Sequence, residues 1–378
     1  MKLLSFSSLA LLTFSSFAGT AFAWEPEFGT EPTVQGPEMA QMEKYEGKIP
    51  KLLGFQGVQK IVTEEAKAAR ARYLAILKET CKIENCVFTV VNDSHFPGPL
   101  KYLGYNAIRI SYPNGFWIQV SYDVTVLEFQ TPKSPLSVYE ANRDLIQRDI
   151  FDAAKAAGLT PSPTGAGAGH ISYDRASSFE GDRLFARNML VDESNNTFLG
   201  EGVLGPAGAN RQNAPGLGLL PASQQEAFKE ILKEFDANPE MTIDQLYQAV
   251  RERVYNVTLN PHDSPMIAHK PNKYQAIALW DQRIEDRRFG PPTDADDLIA
   301  QIRLKRARLK YIREKKSPIP YRPILGDAMK NPNIWKTYLE EMKEKPAEFN
   351  RAVFGPFRAK CESLYANVSG KKKKSAKP

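Results

Sequence analysis

Phe116-Trp117-Ile118-Gln119-Val120-Ser121-Tyr122-Asp123-Val124-Thr125-Val126-Leu127-Glu128-Phe129-Gln130 holds two runs of alternating side chains in tandem. In the first, Trp117, Gln119 and Ser121 fall on one side, and Ile118, Val120 and Tyr122 on the other. A period of two is that of a strand, and the β-branched and aromatic residues here suit a pleated surface. Two such runs so close together predict an antiparallel pair. Upstream, 87–91 and 107–112 are further β-branched runs. Downstream, 137–157 has helical spacing and ends before Gly158, a residue suited to the position just past a helix C-terminus.

Later segments repeat the mixture. Residues 170–174, 274–279 and 282–289 read as strands, separated by helices at 179–190, 224–235 and 243–255. Residues 58–80 form a helix before the first strand. A basic helix spans 293–316, started by Thr293 with Asp296 three residues on. Its basic side is read as a solvated face. Two short helices, 335–343 and 346–365, follow. The order predicts an α+β fold, a mainly antiparallel sheet with flanking helices. We divide the chain into a leader (1–23), an extended arm rich in Pro, Gly and Glu (24–57), an α+β domain (58–316), a helical extension (317–368) and a basic tail (369–378).

The leader has Lys2, an uncharged apolar stretch from Leu3 to Phe17, and the small-x-small site Ala21-Phe22-Ala23. That is the pattern of a cleaved secretory signal peptide, so the expected location is secreted or periplasmic, with no stable membrane insertion after cleavage. The 378 residues are 42% hydrophobic and 25% charged, ordinary for a globular protein. A net charge of +6 is weak, and Lys371–Lys374 carry much of it, so no nucleic-acid partner is expected. Of three cysteines, Cys81 and Cys86 are favoured to pair across a short loop; pairing of Cys361 with either stays open. There is no Gly-x-Ser-x-Gly elbow and no P-loop, which removes two large enzyme classes. His95, His262 and His269 lie among Pro, Asn and Asp and read as loop histidines.

Three segments put chemistry on strands. Glu128 stands between Leu127 and Phe129. His170, Ser172 and Asp174 share one face of their strand. Glu285 and Arg287 share a face, with Asp286 and Arg288 on the other. Carboxylates and an imidazole can hold a divalent cation, and a guanidinium can grip a phosphate or carboxylate at two points. The expected ligand is a small anion or a peptide. Ion pairing along a sheet is the competing structural reading of the same residues.

The stretch from Trp117 to about Lys310, roughly half the chain, resembles the amidoligase family, carboxylate–amine ligases of glutamine-synthetase-like fold that use ATP. Three pieces carry the resemblance. Asp123 to Leu136 looks like a strand ending in a carboxylate and a Ser-Pro-like turn. Gly169-His170-Ile171-Ser172-Tyr173-Asp174 looks like Gly-x-His-x-His-x-Asp. Lys273 to Leu279 followed by Arg283 to Phe289 looks like Lys/Arg-Tyr-x-x-Leu-Asn-Leu and Val-Glu-Phe-Arg. The resemblance implies Mg²⁺ and ATP as cofactors and a catalytic set of Glu128, His170, Asp174, Glu285 and Arg287. Within it, Glu128, His170 and Glu285 would be metal ligands, while Arg287 and Arg211 would contact the nucleotide phosphates. The sequence departs from the pattern at Ser172, where the second histidine would stand, and at Ala278. The family's opening Glu-x-Glu strand has no counterpart in Val87–Val91. Two functions follow from this: an exported ligase acting on a peptide or cell-envelope carboxylate and amine, or a non-catalytic binding protein on an eroded ligase site.

Overall fold

The computed structural model describes residues 24–36, 64–91, 107–123, 126–161, 169–200, 216–255, 275–325 and 332–343. The leader, Arg211, His95, His262, His269, Cys361, the helix expected at 346–365 and the basic tail lie outside them.

Two antiparallel sheets stand where one was expected. The first holds β1 (Glu27–Glu31), β7 (Ser134–Pro135), β9 (His170–Asp174), β10 (Ile277–Leu279) and β11 (Arg283–Asp286), in the order β10-β11-β9-β1-β7. The second holds β2 (Thr33–Gln35), β3 (Val87–Val91), β4 (Ala107–Ser111), β5 (Trp117–Asp123), β6 (Val126–Gln130) and β8 (Thr160–Pro161), in the order β3-β4-β5-β6-β2-β8. The opening pair of runs is the β5–β6 hairpin, with Ser121 opposite Glu128.

The largest correction concerns the arm. Residues 27–35 are strands inside both sheets: β1 lies between β9 and β7, and β2 between β6 and β8. Phe28 and Val34 are buried. Pro26, Gly29 and Pro32 interrupt the apolar pattern that would have revealed strands. Pro32 has no N–H for a ladder, so it suits the point where the chain leaves one sheet for the other. Its carbonyl still accepts from Phe129 N, 2.9 Å away.

The return crossing, β6 to β7, runs beside it. Thr131 N donates to the Thr30 carbonyl (3.3 Å), and their hydroxyls meet at 2.9 Å. The Tyr139 hydroxyl sits 2.7 Å from that of Thr131 and donates to the Phe28 carbonyl (2.9 Å). These bonds make a fixed corner between the sheets.

Helices cover the outer faces. Ahead of β3, α1 (Glu64–Glu84) packs Tyr73 edge-on against Phe129, with ring centroids 5.2 Å apart. After β7 come α2 (Leu136–Ala141), α3 (Arg143–Ile146), a π-helical segment (Gln147–Asp152) and α4 (Ala153–Ala156). Asp149 in the π segment is buried and accepts from the Tyr112 hydroxyl at 2.7 Å. The first sheet is backed by α6 (Arg183–Asn195) and α9 (Ala295–Arg313), with α5 (Arg175–Phe179), α7 (Ala222–Ala237), α8 (Ile243–Val250) and α10 (Pro332–Glu341) around them. The Tyr173 hydroxyl on β9 reaches Met189 Sδ on α6 at 2.6 Å.

Two details of α9 differ from expectation. Its N-cap is Asp294, one residue on from Thr293, and the Asp294 carboxylate accepts from Asp297 N (2.8 Å). Its basic side is not simply solvated. Lys305 and Arg308 are buried, because acidic groups on α6 and β11 meet them there.

Cys81 and Cys86 form the expected disulfide, their Cα atoms 4.8 Å apart. It joins the end of α1 to the start of β3. Closing so short a loop restricts the unfolded chain modestly. Cys81→Ser/Cys86→Ser is therefore expected to lower unfolding free energy by about 2 kcal/mol in urea titration, and an unchanged midpoint would refute this.

Candidate functional site

A cavity of 750 Å³ lies at the corner between the sheets. Cross-strand register explains its floor. Glu31 on β1 is opposite His170 on β9; Gly29 is opposite Ser172, which is opposite Glu285 on β11; Asp174 is opposite Arg283. Alternation then points all of these to one side, with Phe28, Tyr173 and Ile284 to the other. The second sheet supplies the facing wall, including Trp117, Glu128 and Gln130.

The five catalytic residues expected from sequence, Glu128, His170, Asp174, Glu285 and Arg287, all line this cavity. They divide into three environments. The first is a triad that includes a residue not anticipated. Ligand atoms of Glu31, His170 and Glu285 lie within 4.8 Å of one another. His170 Nδ1 is 3.1 Å from Glu31 Oε2 and 3.7 Å from Glu285 Oε1. Glu31 is thus a strand carboxylate beside His170, of the kind that Val87–Val91 lacks, and it sits in the supposed arm. Its signal was available: Gly29 and Glu31 alternate with Phe28 and Thr30. The flanking prolines hid it.

Glu128 forms the second environment. It is buried across the cavity and outside the triad. Gln130 Nε2 donates to its Oε1 at 3.1 Å, and Gln119 Nε2 donates in turn to Gln130 Oε1 at 2.8 Å. Arg109 Nη2 completes the chain on Gln119 Oε1 at 2.9 Å. The row follows directly from the β4–β5–β6 register, in which Arg109, Gln119 and Gln130 are cross-strand partners.

Asp174 forms the third. One oxygen accepts from Ser177 N (2.8 Å), capping α5, and the other meets Lys133 Nζ at 2.9 Å. Burial alone would raise its carboxyl, but these bonds hold it below the usual range. Asp174 is committed to holding the cavity's end in place.

Glu285 carries the strongest electrostatics. Trp280 Nε1 donates to it at 3.0 Å, Arg287 grips it and Arg283 lies 3.4 Å away. Burial alone pushes its carboxyl up; the neighbouring His170, Arg287 and Arg283 outweigh this and hold it down to about 2. It is therefore an ionised, buried carboxylate at ordinary pH.

Two carboxylate oxygens and an imidazole nitrogen are a donor set suited to Mg²⁺ or Mn²⁺. The geometry fits such an ion. A single nitrogen already sits between two acids, a position that calls for positive charge. Beside it the Ser172 hydroxyl is buried with no hydrogen-bond partner among the described residues, as is Arg287 Nε. Buried polar atoms are normally paired, so both are free to bond a group placed there.

Gly169 explains the glycine before His170. A Cβ there would lie 2.3 Å from the Gly290 carbonyl oxygen, while Gly169 N donates to the Phe289 carbonyl at 3.0 Å. Only glycine lets β9 begin this close to the end of β11. Gly169→Ala is expected to cost about 1–3 kcal/mol as an overpacking change, measured by chemical denaturation. Wild-type stability would rule this out.

No family model matches the chain, and no curated protein is similar to it. Among solved structures, one titled apo GmaS without ligand is similar at 12% identity, covering 93% of this chain and 70% of that one with a TM-score of 0.31. At that overlap the likeness carries no functional weight.

Proposed function

We propose that this chain is a divalent-metal-dependent carboxylate–amine ligase of the glutamine-synthetase type, exported and acting on an anionic or peptide substrate. The single observation that carries the reading is the Glu31–His170–Glu285 triad on three adjacent strands, with Arg287 bound to Glu285 at its edge. The motif resemblance adds order along the chain. The leader supports a secreted or periplasmic location.

Bound Mg²⁺ and ATP would supply charge neutralisation and an activated carboxylate. The chain's own contribution is positional. Glu31, His170 and Glu285 would hold the cation on the sheet floor. Arg287 and Arg283 offer guanidinium groups to an anion arriving beside it. Glu128 places a further carboxylate on the opposite wall, where it could receive a proton from an attacking amine. The corner of Thr30, Thr131 and Tyr139 holds the two walls at a constant separation.

The competing reading, a binding protein without turnover, rested on the missing opening carboxylate, on Ser172 and on the scarcity of ATP outside the cytoplasm. Glu31 removes the first argument. Ser172 and the exported location remain in its favour.

Thermal unfolding of the chain from Trp24 onward tests the proposal. Mg²⁺ and ATP at about a hundredfold over Kd should stabilise it by about 2.7 kcal/mol. His170→Ala and Glu285→Ala should each abolish the shift. No shift at millimolar metal and nucleotide would overturn the ligase. A shift with metal alone, and none added by nucleotide, would select the binding protein.

A further inference from the structure

The sequence Glu285-Asp286-Arg287-Arg288, at the end of β11 and just past it, sends one acid–base pair to each side. Glu285 and Arg287 line the cavity. Asp286 and Arg288 point the opposite way, into the layer between the sheet and the helices, and both are buried.

There they meet two partners from helices. Arg288 Nη2 donates to Asp286 Oδ2 at 2.7 Å and also bonds Glu193 of α6. Lys305 of α9 donates to Glu193 Oε1 at 2.7 Å and bonds Asp286 as well. Arg288 N adds a bond to Asp286 Oδ1 at 3.1 Å. Two anions and two cations thus close a neutral buried quartet. Each member touches both members of opposite sign.

We infer that Glu193 and Lys305 are positioning residues for the metal site: they clamp β11 from beneath and so fix where Glu285 and Arg287 stand above. The identification of that site is the proposal made above, on which this inference rests. The coupling is geometric. Adjacent strand residues share a backbone, so a shift of Asp286 or Arg288 carries Glu285 and Arg287 with it. A buried charge left without its partner is expensive, and the strand moves to re-pair it or to reach water.

A nearby pair supplies a matched control. Arg308 of α9 bonds Asp192 of α6 at 2.6 and 2.7 Å and Glu341 of α10 at 2.8 Å. It is as buried as Lys305, on the same two helices, and it bonds no residue of β11.

The experiment compares Lys305→Met with Arg308→Met in the chain from Trp24 onward, by Mn²⁺ titration followed by electron paramagnetic resonance, below the unfolding transition of each. Lys305→Met should weaken Mn²⁺ binding at least about tenfold, in the range typical of groups that orient metal ligands. Arg308→Met should leave affinity within about twofold. If Lys305→Met does not fold, the charge-balanced Glu193→Gln/Lys305→Met is measured in its place, with the same expectation. Equal affinity in Lys305→Met and wild type overturns the inference. Equal weakening by both variants also overturns it, since a general loosening would then suffice.

A second readout needs no metal. The Trp280 indole N–H bonds Glu285 Oε2 at 3.0 Å, so its NMR resonance, assigned with Trp280→Phe, reports the carboxylate's place. It should shift in Lys305→Met and stay put in Arg308→Met. Should the wild-type protein bind no Mn²⁺, the metal-site proposal fails, and this resonance alone decides whether the quartet places Glu285.

Discussion

Replacing Glu31 with glutamine is expected to weaken Mn²⁺ binding by about a hundredfold or more, while Glu128→Gln costs less than about tenfold. The two side chains line one cavity and differ in their relation to the cation position. Glu31 Oε2 is 3.1 Å from the His170 nitrogen that also faces Glu285. Glu128 stands on the opposite wall, outside the triad. Glutamine keeps the shape and the carbonyl oxygen, so the change removes a charge and leaves the packing. Groups that merely orient ligands are worth about 10–100-fold, and a direct ligand belongs at or beyond the upper end. Titration followed by electron paramagnetic resonance reads this directly. Equal affinities for Glu31→Gln and wild type would sink the triad. A larger loss for Glu128→Gln would move the cation to the other wall, where the motif resemblance alone had placed one of its ligands.

Arg288→Met should produce the largest loss of stability, about 3–5 kcal/mol. The guanidinium is almost wholly enclosed, and its removal leaves Asp286 and Glu193 sharing Lys305 alone. Methionine fills most of the volume, so the cost is the unpaired charge and the broken bonds to the carbonyls of Glu193 and Asn196, at 3.3 and 3.2 Å. An exposed pair gives the contrast: Lys82 and Glu79 on α1 are both solvent-facing, and removing that pair should leave the urea midpoint unmoved. A loss below about 1 kcal/mol for Arg288→Met would mean that the quartet relaxes freely. The clamp on β11 would then lose its physical basis.

Much of the site was legible because strands alternate. Once 170–174 and 282–289 are read as strands, His170, Ser172 and Asp174 must share a side, and so must Glu285 and Arg287. The structure keeps both groupings. Glu31 escaped because Pro26, Gly29 and Pro32 break the apolar run, and because neither Glu27 nor Glu31 looks like part of a buried strand. Those breaks have a structural cause: the chain changes sheets at Pro32. Lys305 and Arg308 were read as solvated for a related reason. Helical spacing reports which residues share a stripe, and a basic stripe looks alike whether it faces water or an acidic neighbour helix.

Local order along the chain therefore settled the strands from Val87 to Gln130 and those at His170–Asp174 and Arg283–Asp286, most of the helices and the sides on which their charged residues lie, and it favoured the Cys81–Cys86 disulfide, since these follow from periods of two and 3.6 and from short loops. Which strands far apart in the chain became neighbours was decided only in three dimensions. Glu31 meets His170 at a separation of 139 positions, and Glu193 meets Arg288 at one of 95. Pairing at that range depends on how two sheets turn a shared corner and on which buried charges find partners, and no repeat within a single segment encodes either.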